Sequence, residues 1–336
     1  MAPHPKPIAV LGAGAVGSIL AASFAAAKEP VILVESSARR FEQVQQAGLR
    51  VSPRAASADR PATVVKPDIL LASIEELRGY EPEALFICTK TWALKSVLPE
   101  LRKVLPPETL VVSFQNGIGL EEEVQEFFPA ERVARGIVNY AGNVSPETGE
   151  VTQAWFNPPN YLGPVVDAAA PRVERLAASL NRTPLATQAI PMVETKKRVF
   201  FKTILNSALN ALCATSGITM RQAMSYCHTR NLAKMLIREG LSVAASVGYN
   251  YGENAKAICM RYLDEGGDHL PSMWSDLQRG APTEIEHING KIVKIGLMFK
   301  NVDVDANVFF TSMIITQEIK SGVRSPDDVP EYLKHF

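Results

Sequence analysis

The chain has 336 residues, of which 46% are hydrophobic, and this is enough for two domains with separate cores. Its 35 basic and 35 acidic residues balance to a formal charge of zero, so no basic face points to a nucleic-acid partner. The four cysteines and five histidines show neither C-x-x-C nor metal-ligand spacing, which argues against a metal site and a disulfide framework and indicates a reducing cytoplasm.

A glycine-rich loop follows the first apolar run. The run Ile8–Leu11 predicts a buried strand, and the apolar stretch after Gly17 predicts a helix. In such a unit the first glycine permits the turn, the second lets a pyrophosphate approach the backbone, and the third lets the helix pack against the strand. We interpret the loop as a dinucleotide site rather than a merely glycine-rich turn, with the phosphates held by Gly12-Ala13-Gly14-Ala15-Val16-Gly17.

The same segment has features of a secretory signal peptide. Lys6 precedes an apolar run that extends to Phe24 and is followed by small residues. Prolines before the run and glycines within it suit a strand–helix unit better than a membrane-inserting helix. No other segment reaches a transmembrane length without charges, so we expect a soluble, cytoplasmic protein with no membrane partner.

The first half of the chain alternates short apolar runs with helical patterns, which is typical of a parallel, doubly wound Rossmann sheet. Helices are predicted over 38–47, ended by Gly48, and over 92–105, and a polar stretch of strands and loops spans 52–67. The other predicted strands of the sheet are 31–34, 85–88, 110–114, 133–140 and 151–155.

The second half is predicted to be all α-helical. Residues 194–216 form a long amphipathic pattern that Gly217 ends. Further helical patterns cover 219–228, 230–247, 253–265, 273–279, 283–297 and 305–321, with Cys213 and Cys259 at core positions. We therefore expect an α/β fold with a Rossmann domain over 1–185, a helical substrate domain over 191–325 and a C-terminal tail over 326–336.

Polar residues follow two of the predicted strands at their carboxyl ends, where ligands bind in a doubly wound sheet. Lys90 follows one strand and can meet a phosphate or ribose; Asn116 follows another and can orient a nicotinamide or a substrate. A solvated lysine and a turn asparagine are the plain alternatives.

Three polar residues line one face of the first helix of the second domain. Lys202, Asn206 and Asn210 are four residues apart, so at ~100° per residue they form a stripe that drifts by ~40° per step. The rest of this helix is strongly apolar, and polar groups on a buried helix must find partners or face a wet cleft. A partly desolvated lysine can give a proton to a developing alkoxide. The alternative is a solvent-facing stripe, for which more charge is expected.

A third group of polar residues lies near the later helices. Thr283 precedes an apolar-periodic run and is predicted to be a helix N-cap. Glu284 and Glu286 are then either first-turn acids that favour the helix dipole or functional carboxylates. Ser272 is likewise either a cap or a binding group.

Taken in order, these motifs resemble the ketopantoate reductase (2-dehydropantoate 2-reductase) family. The resemblance runs from about Ile8 to Asn307 and rests on the glycine loop, Thr89-Lys90, Gln115-Asn116-Gly117, Lys202-x3-Asn206-x3-Asn210, Pro271-Ser272-Met273 and Thr283-Glu284-Ile285-Glu286 with Asn289-Gly290. It implies a Rossmann domain and a helical domain with the active site between them. It also implies reduction of a 2-keto acid to the (R)-2-hydroxy acid, with NADPH in the best-known members.

The resemblance also implies a role for each matching residue. Lys202 would be the general acid that protonates the carbonyl oxygen, and Glu284 would support both the lysine and the bound cofactor. The substrate would be held by Asn206, Asn210 and Ser272, and the cofactor by Lys90 and Asn116.

Two departures from the family pattern stand out. Ser36 occupies the place where NADPH-using members usually carry an arginine, and Glu35 before it favours NAD, because an acid there binds the ribose 2′-OH and repels a 2′-phosphate. Arg39 and Arg40, one turn further on, could still reach a phosphate, which keeps NADP open. His269 stands where some members place an asparagine, and it either binds substrate or is a loop histidine.

The sequence thus predicts an NAD(P)-dependent oxidoreductase that interconverts a small 2-keto acid and its (R)-2-hydroxy acid, with ketopantoate as the family default. An NAD-dependent D-2-hydroxyacid dehydrogenase of the D-mandelate type is the alternative, since a preference for NAD suits oxidation. A non-catalytic dinucleotide sensor is the rival of another class, and the lysine–asparagine stripe argues against it because a sensor needs no proton donor. The apolar helical domain permits a homodimer.

Overall fold

The computed structural model describes residues 5–53 and 62–334. The chain divides into two compact units, which we call the sheet unit (Met1–Gln115 and Gly119–Thr195) and the helical unit (Asn116–Ile118 and Lys196–Phe336). The division falls after Thr195, a few residues beyond the predicted boundary, and it assigns three residues of the first half to the helical unit. The middle of the predicted 52–67 stretch lies outside the described residues.

Short strands and helices alternate along the sheet unit. Its described strands are β1 (Ile8–Leu11), β2 (Val31–Val34), β3 (Leu49–Ser52), β4 (Thr63–Val65), β5 (Ile69–Leu71), β6 (Ala84–Ile87), β7 (Leu110–Ser113), β8 (Val133–Ile137), β9 (Tyr140–Val144), β10 (Val151–Phe156), β11 (Asn160–Pro164) and β12 (Thr187–Ala189). Its helices are α1 (Ala15–Ala26), α2 (Ala38–Ala47), α3 (Leu94–Val104), α4 (Leu120–Gln125) and α5 (Ala170–Leu180).

The predicted doubly wound sheet is confirmed, with strand order β12-β11-β8-β7-β6-β1-β2-β5. All neighbours are parallel except β8 and β11, which are antiparallel. Every residue of β1, β2, β6 and β7 is buried, because successive side chains enter the two apolar clusters on opposite faces of the sheet. This burial explains why these strands are continuous apolar runs in the sequence.

Two strand assignments from the sequence are wrong. The predicted strand 151–155 does not extend the main sheet: β10 belongs to a second sheet of order β4-β3-β10-β9. Tyr140, predicted to continue β8, instead begins β9 of this second sheet. An alternating or apolar pattern predicts a strand but does not say which sheet it joins, because pairing is decided by distant residues.

The helical unit is built from α6 (Met192–Ser216), α7 (Met220–Ser225), α8 (Cys227–Ser246), α9 (Ala255–Asp264), α10 (Ser272–Gln278), α11 (Asn289–Gly296) and α12 (Asp305–Lys320). Helix α6 ends as predicted: Gly217 has φ +68° and donates its N–H to Cys213 O at 2.8 Å. Cys213 and Cys259 are fully buried in the core of this unit. Among the described residues, no helix has the length and apolar content needed to cross a membrane.

The predicted helix over 283–297 is wrong in its first half. Residues Ile285–His287 form a 3₁₀ turn, and α11 begins only at Asn289. The predicted N-cap at Thr283 is also wrong: the N-cap is Glu284 for this turn and Ile288 for α11, and the Thr283 hydroxyl accepts the N–H of Ile285 at 3.2 Å just before the turn.

Candidate active site

Each glycine of the loop after β1 meets a different steric demand. Gly12 has φ +98°, which side chains rarely adopt. A Cβ on Gly17 would lie 1.9 Å from the carbonyl oxygen of Gly12, so only glycine lets α1 pack this closely. A Cβ on Gly14 would meet nothing within 4 Å, so the space beside this backbone is open to a ligand. The three positions therefore fit the turn, the close packing and the phosphate approach of a dinucleotide site.

The amino end of α1 is suited to an anion. Gly14 is the N-cap and provides no side chain to cap the first N–H groups. Ser18, in the next turn, donates its hydroxyl to Ala13 O at 2.9 Å and so fixes the loop backbone. Uncapped N–H groups and the positive end of the helix dipole favour phosphate at this position.

Glu35 lies directly beside the glycine loop. Its Oε2 accepts the N–H of Ala13 at 2.7 Å and its Oε1 accepts the N–H of Ser37 at 2.7 Å. The side chain is buried, whereas Ser36 is exposed. These bonds place a negative charge at the carboxyl end of β2, next to the loop.

Arg40 is hydrogen-bonded to several protein acceptors near the glycine loop. Its guanidinium is buried and donates to Ala13 O at 2.8 Å, to Gly149 O at 2.6 Å and to Ser18 Oγ at 3.0 Å. These bonds join the glycine loop to the turn between β9 and β10 and occupy the guanidinium with protein acceptors. Arg39 is exposed and donates to Pro146 O.

The carboxyl ends of β6 and β7 are linked to each other. Gln115 donates its amide to Thr89 O at 2.7 Å, next to the partly exposed Lys90. Beneath this link lies a buried ion pair that sequence reasoning missed: Arg135 Nε is 3.3 Å from Glu121 Oε2, and Arg135 donates to Gln115 O at 2.8 Å. A lone arginine within the apolar run of β8 was the available signal, because a buried charge requires a partner.

Asn116 and its two neighbours pack within the helical unit. Ile118 donates its N–H to His287 O at 3.0 Å, and a Cβ on Gly117 would lie 2.6 Å from the His287 Cβ. Asn116 is thereby brought close to the chain segment that carries Glu284. The Asn116 Oδ1 atom is buried and accepts no hydrogen bond from the described residues.

Hydrogen bonding is uneven among the polar side chains of α6. Thr203 and Ser207, on the same helix, donate their hydroxyls to carbonyls of the preceding turn. Asn206 and Asn210 have no side-chain hydrogen bond to the described residues, and Asn210 is 7% exposed. Lys202 lies on this stripe and is partly exposed. Two amides held without protein partners beside a lysine can receive the oxygens of a small acid.

Ser272 and His269 are exposed at the start of α10. Ser272 is the first residue of the helix, and Pro271 rather than Ser272 is its N-cap. The backbone oxygen of His269 accepts the N–H of Met220 at 3.0 Å, which ties this loop to α7.

Glu284 lies in a turn that we call the Glu284 turn (residues 283–288). It is 7% exposed and follows Thr283, whose N–H donates to Glu318 Oε1 at 2.7 Å. The structure thus places Asn116, Lys202, Asn206, Asn210, Ser272 and Glu284 in the helical unit, and the glycine loop, Glu35 and Lys90 in the sheet unit.

The glycine loop on a doubly wound sheet, followed by an all-helical unit, defines a Rossmann-type nucleotide-binding protein. The sequence model for ketopantoate reductase PanE/ApbA matches residues 8–166, and the model for its C-terminal domain matches residues 194–318. The 2-dehydropantoate 2-reductase of Archaeoglobus fulgidus is 26% identical over 316 residues, covering 94% of this chain and 98% of that protein.

Two solved structures are similar along the whole chain. A PanE/ApbA family ketopantoate reductase from Ralstonia eutropha has a TM-score of 0.82 at 22% identity, covering 94% of this chain and 100% of that one. A D-mandelate dehydrogenase solved with NADH and anilino(oxo)acetate has a TM-score of 0.82 at 23% identity, with the same coverage. At these identities the structural likeness shows the fold. The family matches span most of the sequence: the chain belongs to the ketopantoate reductase family of NAD(P)-dependent oxidoreductases acting on CH–OH groups.

Proposed function

We propose that this chain reduces a 2-keto acid to the (R)-2-hydroxy acid with a nicotinamide cofactor, and that ketopantoate is its substrate. The observation that carries the proposal is the stripe of Lys202, Asn206 and Asn210 on α6, whose two amides have no protein partner among the described residues. A carboxylate and a carbonyl oxygen are the acceptors that one ammonium and two amide groups suit.

The chain's own residues would supply binding and proton transfer. When bound, a dihydronicotinamide would supply the hydride that the carbonyl carbon takes up as its C=O double bond becomes single. Lys202 donates the proton that the oxygen then needs, and Glu284 holds the ammonium in place. Asn206, Asn210 and Ser272 hold the carboxylate and hydroxyl groups of the substrate. His269 would lie on the substrate side.

We propose that the cofactor is NAD. The glycine loop and the uncapped first turn of α1 would hold the pyrophosphate, with Lys90 on the ribose side and Asn116 at the nicotinamide. Glu35 would accept the 2′-OH of the adenosine ribose, and its charge would oppose a 2′-phosphate. The bonds that hold Glu35 and Arg40 support this preference, because no arginine side chain in the β2–α2 segment is both close to the loop and uncommitted.

A Lys202→Met variant tests the reaction. Its kcat with ketopantoate and NADH should fall by about 10²-fold or more, because general acid catalysis contributes 10²–10⁴-fold, while its Kd for NADH stays within about twofold. Lys256→Met, at an exposed position on α9, is the matched control and should keep wild-type kcat. A fully active Lys202→Met enzyme would eliminate the lysine as proton donor.

A second candidate is an NAD-dependent D-2-hydroxyacid dehydrogenase, which the position of Glu35 favours. Kinetics with ketopantoate and with phenylglyoxylate, each with NADH and NADPH, separate the two functions. Faster turnover of phenylglyoxylate would support the dehydrogenase, and tight NADH binding without turnover of any 2-keto acid would support a sensor. Light scattering of the purified chain tests the homodimer.

A further inference from the structure

The chain after α12 is fastened to the Glu284 turn through a buried carboxylate. Glu318, in the last turn of α12, is 0% exposed. Its Oε1 accepts the N–H of Thr283 at 2.7 Å, and its Oε2 accepts Nε of Arg324 at 2.7 Å. A single carboxylate therefore joins the backbone just before Glu284 to an arginine of the following segment, which we call the tail (residues 321–334).

Arg324 also holds the other side of the turn. Its Nη2 donates to Glu286 Oε1 at 2.7 Å, and its Nη1 donates to Asp328 O within the tail at 2.9 Å. The Arg324 side chain is 10% exposed and that of Glu318 is 1% exposed, so this pair is shielded from water, whereas the Glu286 side chain is 41% exposed and lies at the surface. Glu284 thus lies between Thr283 and Glu286, two residues that are both fixed by the Glu318–Arg324 pair.

The far end of the tail packs beside the end of the same turn. A Cβ on Gly290 would lie 2.3 Å from the hydroxyl oxygen of Tyr332, so Tyr332 rests directly on the first turn of α11. Leu333 is 8% exposed and belongs to the core of the helical unit. The tail therefore contacts the chain on both sides of the Glu284 turn, although the family match ends at residue 318.

We propose that Arg324 is a positioning residue of the active site: by bridging Glu318 and Glu286 it fixes the Glu284 turn and thereby the carboxylate that holds Lys202. This inference rests on the proposed function, since it takes the role of Glu284 from there. An arginine is suited to the task because its planar fork can bind two carboxylates at once, which a lysine cannot reproduce.

A double-mutant cycle in the full-length enzyme tests this inference. Arg324→Met should lower kcat by about tenfold or more, because small displacements of catalytic groups are costly, with less than about a threefold change in KM. In a Glu284→Gln background the same substitution should cost less than about twofold, since Arg324 acts through Glu284. Equal losses in both backgrounds, or wild-type kcat in Arg324→Met, would overturn the proposal.

Hydrogen exchange separates this inference from the proposed function. The amides of residues 283–288 should exchange faster in Arg324→Met but not in Arg230→Met, which breaks a more exposed arginine–aspartate pair with Asp264 elsewhere in the same unit. If wild-type enzyme turns over no 2-keto acid, the proposed function fails, and unchanged exchange in Arg324→Met would then overturn the anchoring as well. Faster exchange confined to residues 283–288 supports the anchoring by Arg324 whether or not the enzyme turns over a 2-keto acid.

Discussion

Gly14 and Gly17 are three residues apart, yet an added methyl group meets open space at one and the Gly12 carbonyl oxygen at the other. We expect Gly14→Ala to fold normally, because its φ of −64° suits alanine, but to weaken NADH binding by about tenfold, because the methyl group fills the phosphate approach. Gly17→Ala should instead lower the melting temperature strongly, because the backbone at Gly12 or Gly17 would have to move to make room for the methyl group. Calorimetry and NADH titration of both variants check this pair, and an unchanged NADH affinity in Gly14→Ala would contradict it.

Glu35 both accepts loop N–H groups and carries charge, and two substitutions separate these roles. Glu35→Gln keeps an acceptor for Ala13 N–H but removes the charge, so the ratio of NADPH to NADH affinity should rise by about tenfold. Glu35→Arg should raise it further by attracting the 2′-phosphate. Fluorescence titration with each cofactor measures the ratio. If the Gln variant leaves this ratio at its wild-type value, the charge of Glu35 does not discriminate between a ribose 2′-OH and a 2′-phosphate.

Among the elements of the sheet unit, β8 and α4 are joined by the buried pair of Arg135 and Glu121, whose side chains are 2% and 3% exposed. Arg135→Met should reduce the free energy of unfolding by about 3–5 kcal/mol, because it leaves a buried carboxylate without its cation. The double variant Arg135→Met/Glu121→Leu should recover much of that loss, since no unpaired charge remains. Urea unfolding measures both; a double variant less stable than the single one would contradict this account.

Sequence patterns predicted the elements that local physics determines. Helix α6 was placed closely because an apolar face, a polar stripe and Gly217 all agree. The β10 assignment failed because a strand pattern carries no information about its partner sheet. The helix over 283–297 failed because a tertiary bond, from Thr283 N–H to Glu318, holds the chain in a turn that local propensity does not favour.

The site divides in the same way. The geometry of the glycine loop and the shared face of the polar residues on α6 could be predicted, since each is a short run of residues whose spacing alone determines which side chains share a face. The hydrogen bonds of Arg40 and the packing of Asn116 near the Glu284 turn could not be predicted, because they join residues that are far apart along the chain. The contacts that hold the candidate site residues in position are therefore harder to predict than their spacing along one loop or helix.

At the scale of the whole molecule, Glu29, just before β2, connects the first part of the sheet unit to helix α5 and the residues after it, near the end of the unit. Burial opposes its ionisation, but hydrogen bonds from Ser179 and Arg182 and the charges of Arg175 and Arg182 hold the pKa of Glu29 below its usual value of 4.5. A lowered carboxylate pKa contributes stability that is present above pH 4.5 and lost as the pH falls through the folded-state value. Acidification should therefore loosen the contact between α5 and the β2 end of the unit.

Glu29→Gln tests this pH dependence. At pH 7 it should cost about 2 kcal/mol of unfolding free energy, the range for hydrogen bonds to a charged group, and the difference from wild type should shrink below pH 4.5. Glu81→Gln, at an exposed surface pair with Lys6, is the control and should cost little at either pH. A difference that persists unchanged into acid would show that Glu29 acts by shape and not by charge.

Because Asn116–Ile118 belong to the helical unit, a hybrid made from two related enzymes divides a contact between its two parents. A hybrid enzyme that joins residues 1–195 of one relative to residues 196–336 of another inherits position 117 from one parent and its neighbour at position 287 from the other. Gly117 has φ +116°, and a Cβ there would lie 2.6 Å from the Cβ of His287. A crossover that takes residues 116–118 from the same parent as residues 196–336 keeps this contact, whereas a parent with a side chain at position 117 would bring a clash with position 287.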